Sequence, residues 1–338
     1  MKINKKEFIK ILEFVKPGLA NKDIIEFTNT FSFTKENLIT FNDEICIKYP
    51  LETEFKGTVI ADEFFKLINK TEEDKEGNIV INQKENELII KGKKSIAGIV
   101  FNTMGKLPLD ELVKEPSKLY KIPNNFLEGI YLSLFCVSHD ESTPLITCLN
   151  VQKEFIESTN GYRFFRYLLS KPIKTTFLLS SKCASVISKY NIIKYSIENN
   201  WAYFLTKENV LLHSRIYQEE TFPCTDQFFN TNGKKIFFSK EVPLIIDKAI
   251  IFCSEQDSEN LLQVNIEKDK ITISSKKEGI GWFKETCKQK NKQEVQFEIN
   301  AFFLRDLLKK TNTCFMVDKN NLLGFKTDKF EHIIRYQK

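Results

Sequence analysis

The apolar and polar positions of the chain follow one order that recurs three times. Each recurrence begins with a short apolar strand, continues with a polar residue suited to capping a helix, and then carries apolar residues at helical spacing. The three openings start at Ile3, Tyr120 and Ile236. A fixed period of this kind is typical of internal duplication, so the sequence predicts a unit of roughly 115 residues that is present three times.

Each unit also has a second half with the same order of elements. A strand leads into a helical stripe near Ala61, again near Leu179 and again near Ile299. A pair of apolar runs then follows each helix: Asn78–Ile81 with Glu87–Ile90, Lys194–Ile197 with Trp201–Phe204, and Cys314–Val317 with Leu322–Phe325. Asn199-Asn200 and Asn320-Asn321 separate two of these pairs and suit tight hairpin turns. The pattern therefore predicts an α+β chain of six strand–helix–multistrand units, two in each domain.

Two polar segments that contain Pro or Gly mark the domain boundaries. They are Lys114–Ser117 and Asn230–Gly233, and segments of this composition connect folded units. We expect three domains, covering residues 1–116, 117–233 and 234–338. A chance recurrence of ordinary α+β order is the alternative, and it is weaker because the order and spacing recur in both halves of the unit.

The charge balance and the targeting signals of the chain restrict its function only loosely. Fifty basic and 45 acidic side chains give a net charge of +5. This permits a nucleic-acid partner, although a solvated mixed-charge surface is the simpler explanation for a Lys-rich chain. The sequence has no signal-peptide pattern, no run of about 18 apolar residues and no C-x-x-C pair among its eight cysteines. We expect a cytoplasmic protein with reduced cysteines and no membrane partner.

Motifs of enzymes and metal sites are absent from the sequence. The three histidines, His139, His213 and His332, lie far apart and form no metal-ligand spacing. Gly92–Ser95 lacks the upstream Gly of a phosphate-binding loop, and Gly279–Gly281 lacks the third Gly of a dinucleotide-binding turn. We therefore expect a non-catalytic protein without a metal or a cofactor.

Four segments add a more specific signal. They are the opening Met1–Phe8, the stretch Phe135–Pro144, the turn Ser158-Thr159-Asn160-Gly161-Tyr162-Arg163, and Phe222-Pro223 followed by Asp226-Gln227-Phe228. Together with the threefold unit, they make the whole chain resemble a bacterial-type DNA sliding clamp, the β subunit of DNA polymerase III. The chain departs from that family where Asn160 and Tyr162 replace Asp and His, in lacking a Met-Pro-Met ending, and in its positive charge. It is similar to a divergent member, of bacterial or phage origin.

The resemblance implies a ring. Three tandem clamp domains would place their helices along a bore and their sheets outside, and a head-to-tail homodimer would close the ring. Strands around Ile99–Leu107 of one chain would pair with strands around Gly281–Cys287 of the other. The implied function is a polymerase processivity factor that encircles double-stranded DNA, without sequence preference, at the nucleoid or in a phage host's cytoplasm. Its implied partners are the replicative DNA polymerase and an ATP-driven clamp loader. The alternative is an interaction scaffold that keeps the clamp fold but does not encircle DNA.

Two sets of residues are candidates for these contacts. A diffuse positive lining would attract phosphates without reading bases, whereas ordinary solvated helix faces are the alternative. The candidate DNA-facing residues are Lys5, Lys6, Lys10, Lys22, Lys66, Lys70, Lys182, Lys189, Lys240, Lys248, Arg305, Lys309 and Lys310. The resemblance also implies a groove for partner peptides, for which plain core positions are the alternative at Ile146, Phe164 and Phe228. The candidate groove residues are Ile146, Thr159, Gly161, Tyr162, Arg163, Phe164, Pro223, Gln227, Phe228, Ile333, Arg335 and Tyr336.

Overall fold

The computed structural model describes residues 1–20, 25–105, 107, 115–217, 221–229, 233–254, 261–317 and 320–338. The α-helices in these ranges are α1 Lys5–Val15, α2 Ala61–Lys70, α3 Phe126–Ser133, α4 Ser181–Ile187, α5 Asp226–Phe229, α6 Val242–Ala249 and α7 Ala301–Leu308. The strands are β1 Lys2–Asn4, β2 Thr30–Phe33, β3 Asn37–Phe41, β4 Ile45–Pro50, β5 Gly57–Ile60, β6 Asn78–Lys84, β7 Glu87–Lys91, β8 Ile96–Val100, β9 Tyr120–Lys121, β10 Cys148–Val151, β11 Phe155–Thr159, β12 Arg163–Leu168, β13 Phe177–Ser180, β14 Ile192–Glu198, β15 Trp201–Thr206, β16 Leu211–Tyr217, β17 Lys234–Phe237, β18 Leu262–Glu267, β19 Lys270–Lys277, β20 Gly281–Lys288, β21 Val295–Ile299, β22 Thr313–Val317, β23 Leu322–Lys326 and β24 Phe330–Arg335.

These elements form two compact units. The first comprises Met1–Tyr131 with Ile173–Glu219, and the second comprises Leu132–Pro172 with Glu220–Lys338. The division into three domains, at residues 116 and 233, stays a prediction. Within the ranges that the structure describes, no helix has both the length and the apolar character needed to cross a membrane.

The first unit packs its helices against two antiparallel sheets. One sheet has the order β1-β6-β7-β8, and the other has the order β9-β14-β15-β16-β4-β3-β2-β5, with β13 also paired to β16. Asn4 caps α1, since its Oδ1 accepts hydrogen bonds from the backbone N–H groups of Lys6 at 3.1 Å and Glu7 at 3.2 Å. The buried ring of Phe8 then meets that of Phe64 in α2 edge-on, with centroids 6.1 Å apart. Burial of each such ring contributes about 1.5–3 kcal/mol to the stability of the fold. The predicted apolar stripes therefore hold both helices in the core.

The second unit repeats this construction. Its sheets have the orders β17-β22-β23-β24-β12-β11-β10 and β20-β19-β18-β21. Ile246 of α6 and Leu304 of α7 share one core with residues from both sheets. Asn300 caps α7 as Asn4 caps α1, accepting from the backbone N–H groups of Phe302 at 3.0 Å and Phe303 at 3.2 Å. The order of strand, Asn cap and helix therefore recurs in the structure as the sequence predicts.

The paired apolar runs of the sequence form hairpins in both units. β6 pairs with β7 and β14 with β15 in the first unit, and β22 pairs with β23 in the second. Asn199 and Asn200 adopt positive φ angles of 51° and 63°. Two such residues in succession give the turn that matches the twist of the flanking strands. The predictions of these strand pairs and of the Asn199-Asn200 turn are confirmed.

One predicted edge strand is displaced. β8 ends at Val100, whereas the resemblance implies pairing strands around Ile99–Leu107. Asn102 instead forms a bridge with Thr58, in which each backbone N–H donates to the other residue's carbonyl at 2.9 Å. The chain therefore leaves the β7 ladder earlier than the resemblance implies. The other predicted segment, Gly281–Cys287, lies within β20, and β8 and β20 are the terminal strands of their sheets among the described residues.

The cysteines differ in exposure. Seven of the eight are buried and Cys224 is exposed. Burial raises the pKa of the Cys46 and Cys136 thiols to about 12, so these two thiols stay protonated near neutral pH.

Candidate functional site

The turn between β11 and β12 is closed by its own side chains. Asn160 Oδ1 accepts hydrogen bonds from the backbone N–H groups of Tyr162 at 3.2 Å and Arg163 at 3.1 Å. Thr159 Oγ1 accepts from the Gly161 N–H at 3.0 Å and donates to the Arg163 carbonyl at 2.8 Å. Gly161 has a φ of +85°, which favours glycine. The turn thus leaves Tyr162 65% exposed at its tip, and Asn160 supplies the acceptor oxygen without a carboxylate charge.

An aromatic surface lies on one face of the sheet beside this turn. The Phe164 ring in β12 stacks on the Phe228 ring in α5, with centroids 4.2 Å apart and 13° between the planes. Phe164 pairs in register with Ile333 of β24, so their side chains share a face. At the end of the same strand pair, the Arg335 N–H donates to the Tyr162 carbonyl at 3.1 Å. We call Tyr162, Phe164, Phe228 and Arg335 the aromatic surface; Ile333, on the same face, is buried beneath it.

Arg163 points to the opposite face of β12. Successive side chains of a strand point to opposite faces of the sheet. Arg163 is one of the buried positions of β12, whereas Phe164 is half-buried. The Arg163 guanidinium lies 3.8 Å from the Phe303 ring centroid and 5.3 Å from that of Phe135, and it donates to the Phe135 carbonyl. The sequence groups Arg163 with Phe164, but the structure separates the two side chains by the thickness of the sheet.

The other predicted groove residues differ in how accessible they are. Tyr336 is buried, with its ring 5.5 Å from that of Phe297. Ile146 is half-buried in the 3-10 helix Pro144–Thr147, and its carbonyl accepts from the Ser138 N–H at 2.9 Å. Pro223 and Gln227 are exposed. Of the groove residues that the sequence predicts, those with exposed side chains lie in the β11–β12 turn, around α5 and at Arg335.

The sequence prediction does not include a cluster of three charged residues beside this surface. Glu157 of β11 and Arg166 of β12 are cross-strand partners and form an ion pair. Arg166 also pairs with Asp226 at the start of α5, at 2.5 Å. Burial raises the pKa of the Glu157 carboxyl, an effect that Arg166 opposes. The available sequence signal is the equal spacing of Glu157 and Arg166 from the Asn160–Arg163 segment, three residues on either side, which places opposite charges across a hairpin.

The predicted DNA-facing residues of the first unit lie mostly on exposed helix positions. Lys6 and Lys10 are four residues apart on α1, and Lys66 and Lys70 are four apart on α2, so each pair shares one helix face. Lys182 and Lys189 are also exposed. Lys5 is less accessible and pairs with Glu73 at 3.2 Å. Lys22 lies outside the described residues.

In the second unit, several predicted DNA-facing residues already have partners. Lys248 pairs with Glu285 at 2.8 Å, and Arg305 pairs with its neighbour Asp306 at 3.2 Å. The Lys310 ammonium lies 4.6 Å from the Phe135 ring centroid, and partial burial lowers its pKa. Lys240 and Lys309 are exposed. The exposed lysines are therefore more regularly placed in the first unit than in the second, and their contacts with DNA stay a prediction.

The chain as a whole has the fold of solved bacterial sliding clamps. The β chain of DNA polymerase III from Streptococcus pneumoniae TIGR4 matches it with a TM-score of 0.84 and 18% identity, over 100% of this chain and 99% of that one. The sliding clamp of Bacillus subtilis matches with a TM-score of 0.82 and 17% identity, over 100% and 98%. The sliding clamp of Pseudomonas aeruginosa bound to griselimycin matches with a TM-score of 0.85 and 13% identity, over 100% and 99%.

These likenesses confirm the α+β tandem-domain clamp fold that the sequence predicts, and at such low identity they concern the fold alone. No protein-family model matches the sequence, and no curated protein matches it.

Proposed function

From the clamp fold of the whole chain, we propose that this protein is a DNA sliding clamp. It would encircle double-stranded DNA without sequence preference and tether the replicative polymerase, after an ATP-driven loader has opened and closed it on the DNA. The observation that carries the proposal is the match to bacterial sliding clamps, which covers 100% of this chain. A clamp acts by topology and not by bond cleavage, so the proposed role needs no catalytic residue or cofactor.

The exposed lysines supply the electrostatics that this role requires. A clamp must attract phosphates strongly enough to stay centred on DNA and weakly enough to slide. Pairs such as Lys6 with Lys10 and Lys66 with Lys70 present mobile ammonium groups from helix faces. Flexible point charges of this kind favour phosphates without fixing a register on the bases.

The two terminal strands β8 and β20 support ring closure by a second copy of the chain. Ile96 and Val100 of β8 are 72% and 74% exposed, and Trp282 of β20 is 71% exposed, as is Ile251 in the segment after α6. Open strand edges with large apolar side chains favour pairing with another chain. We propose that β8 of one protomer pairs with β20 of its partner. In a head-to-tail homodimer this contact forms at both interfaces, so the closed ring leaves neither β8 nor β20 with an unpaired edge.

The aromatic surface is our proposed site for partner peptides. It combines a half-buried aromatic stack at Phe164 and Phe228 with exposed polar groups at Tyr162 and Arg335. Apolar pockets bordered by polar groups are how extended peptides are commonly held. The Pseudomonas aeruginosa clamp is described as bound to griselimycin, and we propose that this chain binds griselimycin at the aromatic surface, which makes the compound a probe for it.

A topological assay tests the proposed function. The protein is loaded onto nicked circular plasmid with its cognate loader and ATP, and the plasmid is then linearised. We expect the protein to stay on the circle in high salt and to leave the linear DNA through its ends. Trp282→Lys, which alters the proposed closure strand, should abolish retention on the circle. A protein that never loads, or that stays on linear DNA, would instead favour a scaffold that keeps the clamp fold without encircling DNA.

A further inference from the structure

Arg166 joins the short helix α5 to the sheet beneath it. Its Nε donates to Glu157 Oε1 at 2.6 Å, and its Nη2 contacts both Glu157 and Asp226, the latter at 2.5 Å. Thr225 Oγ1 donates to Glu157 Oε1 at 3.0 Å, and Asn150 Nδ2 donates to the other carboxylate oxygen at 3.3 Å. Glu157 is 3% exposed, and these bonds satisfy a carboxylate that would otherwise be costly to bury.

Two aromatic rings enclose the guanidinium. The ring centroids of Phe155 in β11 and Phe229 in α5 are both 4.2 Å from Arg166 Cζ. A guanidinium between ring faces is attracted by both and is shielded from water, which strengthens its ion pairs. A long side chain with many rotamers is thereby held in one position, between the sheet and the helix.

The two carboxylates of this network differ in exposure. The Glu157 side chain is 4% exposed, whereas the Asp226 side chain is 77% exposed. Loss of a partner from a buried charge destabilises a fold strongly, but an exposed ion pair opens at small cost. The contact of Arg166 with Glu157 therefore stabilises the second unit, while its contact with Asp226 mainly fixes the position of α5.

The position of α5 determines the aromatic surface, because α5 carries Phe228. A helix of four residues has little stability of its own and depends on tertiary contacts. We propose that Arg166 is a positioning residue for partner binding: by holding Asp226 and Phe229 it keeps the Phe228 ring stacked on Phe164. This inference rests on the proposed function, since it concerns the surface that we assign to partner peptides.

Asp226→Ala tests the exposed contact without leaving a buried charge unpaired. Glu267→Ala is the matched control, because it removes the exposed Glu267–Lys270 pair of the same unit. The readout is hydrogen exchange of the Phe228 amide, which donates to the Thr225 carbonyl at 2.9 Å, in the protein without ligand. We expect D226A to accelerate this exchange about two- to fivefold and E267A to leave it unchanged. Equal exchange rates in D226A and the wild type would overturn the proposal.

Griselimycin binding, measured by calorimetry, then connects the position of α5 to the surface. We expect D226A to weaken binding about two- to fivefold, Asp226→Glu to restore most of it, and the unfolding temperature to stay the same. Faster exchange with unchanged affinity would overturn the positioning role. If the wild type itself does not bind griselimycin while D226A still accelerates exchange, the proposed surface fails and the hold of Arg166 on α5 is supported.

A double variant separates the network from its buried charge. Glu157→Leu with Arg166→Leu removes both buried ions together, a change that folded proteins commonly tolerate. We expect this variant to fold, to show the fast Phe228 exchange of D226A, and to bind griselimycin as weakly as D226A does. A folded double variant with wild-type exchange and affinity would show that apolar packing alone positions α5.

Discussion

His332 stacks on Phe135, with ring centroids 5.1 Å apart and 22° between the planes. His332 is fully buried, and neither of its ring nitrogens bonds to a residue that the structure describes. Burial, reinforced by the positive charges of Arg163 and Lys310, holds the pKa of His332 well below its ordinary value. The ring is therefore neutral in the folded protein at a pH where the unfolded chain, with a histidine pKa of about 6.5, binds a proton.

This difference predicts that the second unit loses stability as the pH falls. Below about pH 6.5 the unfolded state binds a proton at His332 and the folded state does not, so the free energy of unfolding decreases by about 1.4 kcal/mol per pH unit from this group. His332→Phe keeps a ring on Phe135 and removes the titration. Urea unfolding between pH 7 and pH 4 should give a flatter profile for the variant, and superimposable profiles would contradict this explanation.

The first unit should respond to acid in the same direction. Burial, with a smaller effect from Lys48, lowers the pKa of His213 to about 3. The unfolded chain protonates this residue near pH 6.5, so stability is lost between that pH and about 3. His213→Phe should reduce the acid sensitivity of the first unit, measured by hydrogen exchange of amides in β15 and β16. An unchanged exchange profile at pH 5 would refute the assignment.

Phe228→Ala should weaken griselimycin binding at least about tenfold, with only a small change in stability. The substitution removes one member of the Phe164–Phe228 stack, and such pairs contribute about 0.5–1.5 kcal/mol beyond the area that they bury. Tyr131→Ala is the control, because Tyr131 is an exposed aromatic residue of the first unit. Calorimetry measures the affinity of both variants for griselimycin. Similar losses of affinity in the two variants would show that the compound does not bind specifically at the aromatic surface.

The proposed ring predicts a dimer of about twice the chain mass of 39.5 kDa. Val100→Lys together with Trp282→Lys places four charges in each closed ring where apolar side chains should meet, so we expect a monomer in sedimentation equilibrium at micromolar concentration. Ile193→Lys, a change at an exposed apolar position on β14, should remain dimeric. A wild-type chain that sediments as a monomer under the same conditions would argue against closure by β8 and β20.

Replacing Lys6 and Lys10 by Gln should weaken DNA attraction and reduce its dependence on salt. For duplex DNA, the slope of log affinity against log salt becomes shallower by about 0.9 for every phosphate that a lysine no longer neutralises. The slope is measured by the fluorescence anisotropy of a labelled duplex at salt concentrations between about 50 and 200 mM. Lys91→Gln, on the exposed side of β7, is the control; a variant with the wild-type slope would place Lys6 and Lys10 away from DNA.

Local features of the fold followed directly from sequence. The Asn199-Asn200 turn and the Asn4 cap depend on residues close to each other in the chain, so residue type alone indicated them. The displaced end of β8 did not follow, because the Thr58–Asn102 bridge that ends the strand joins residues far apart in sequence.

The candidate site was predictable only in part for a similar reason. The Ser158–Arg163 segment indicated the β11–β12 turn, yet strand alternation sends Arg163 and Phe164 to opposite faces. Glu157 and Arg166 are paired by hairpin register, which the local sequence indicates. The ion pair of Arg166 with Asp226 joins distant segments and depends on tertiary packing. Contacts of this kind lie beyond any local pattern.

The exposure of Cys224 gives this molecule a built-in labelling site. It lies next to Thr225 and Asp226, while the other seven thiols are buried, so a maleimide dye would attach at one position beside the aromatic surface and report its occupancy without an engineered cysteine. The same thiol creates an artefact: air oxidation would join two chains through Cys224 and imitate the mass of the proposed ring. Sedimentation of this protein therefore has a clear meaning only in the presence of a reductant.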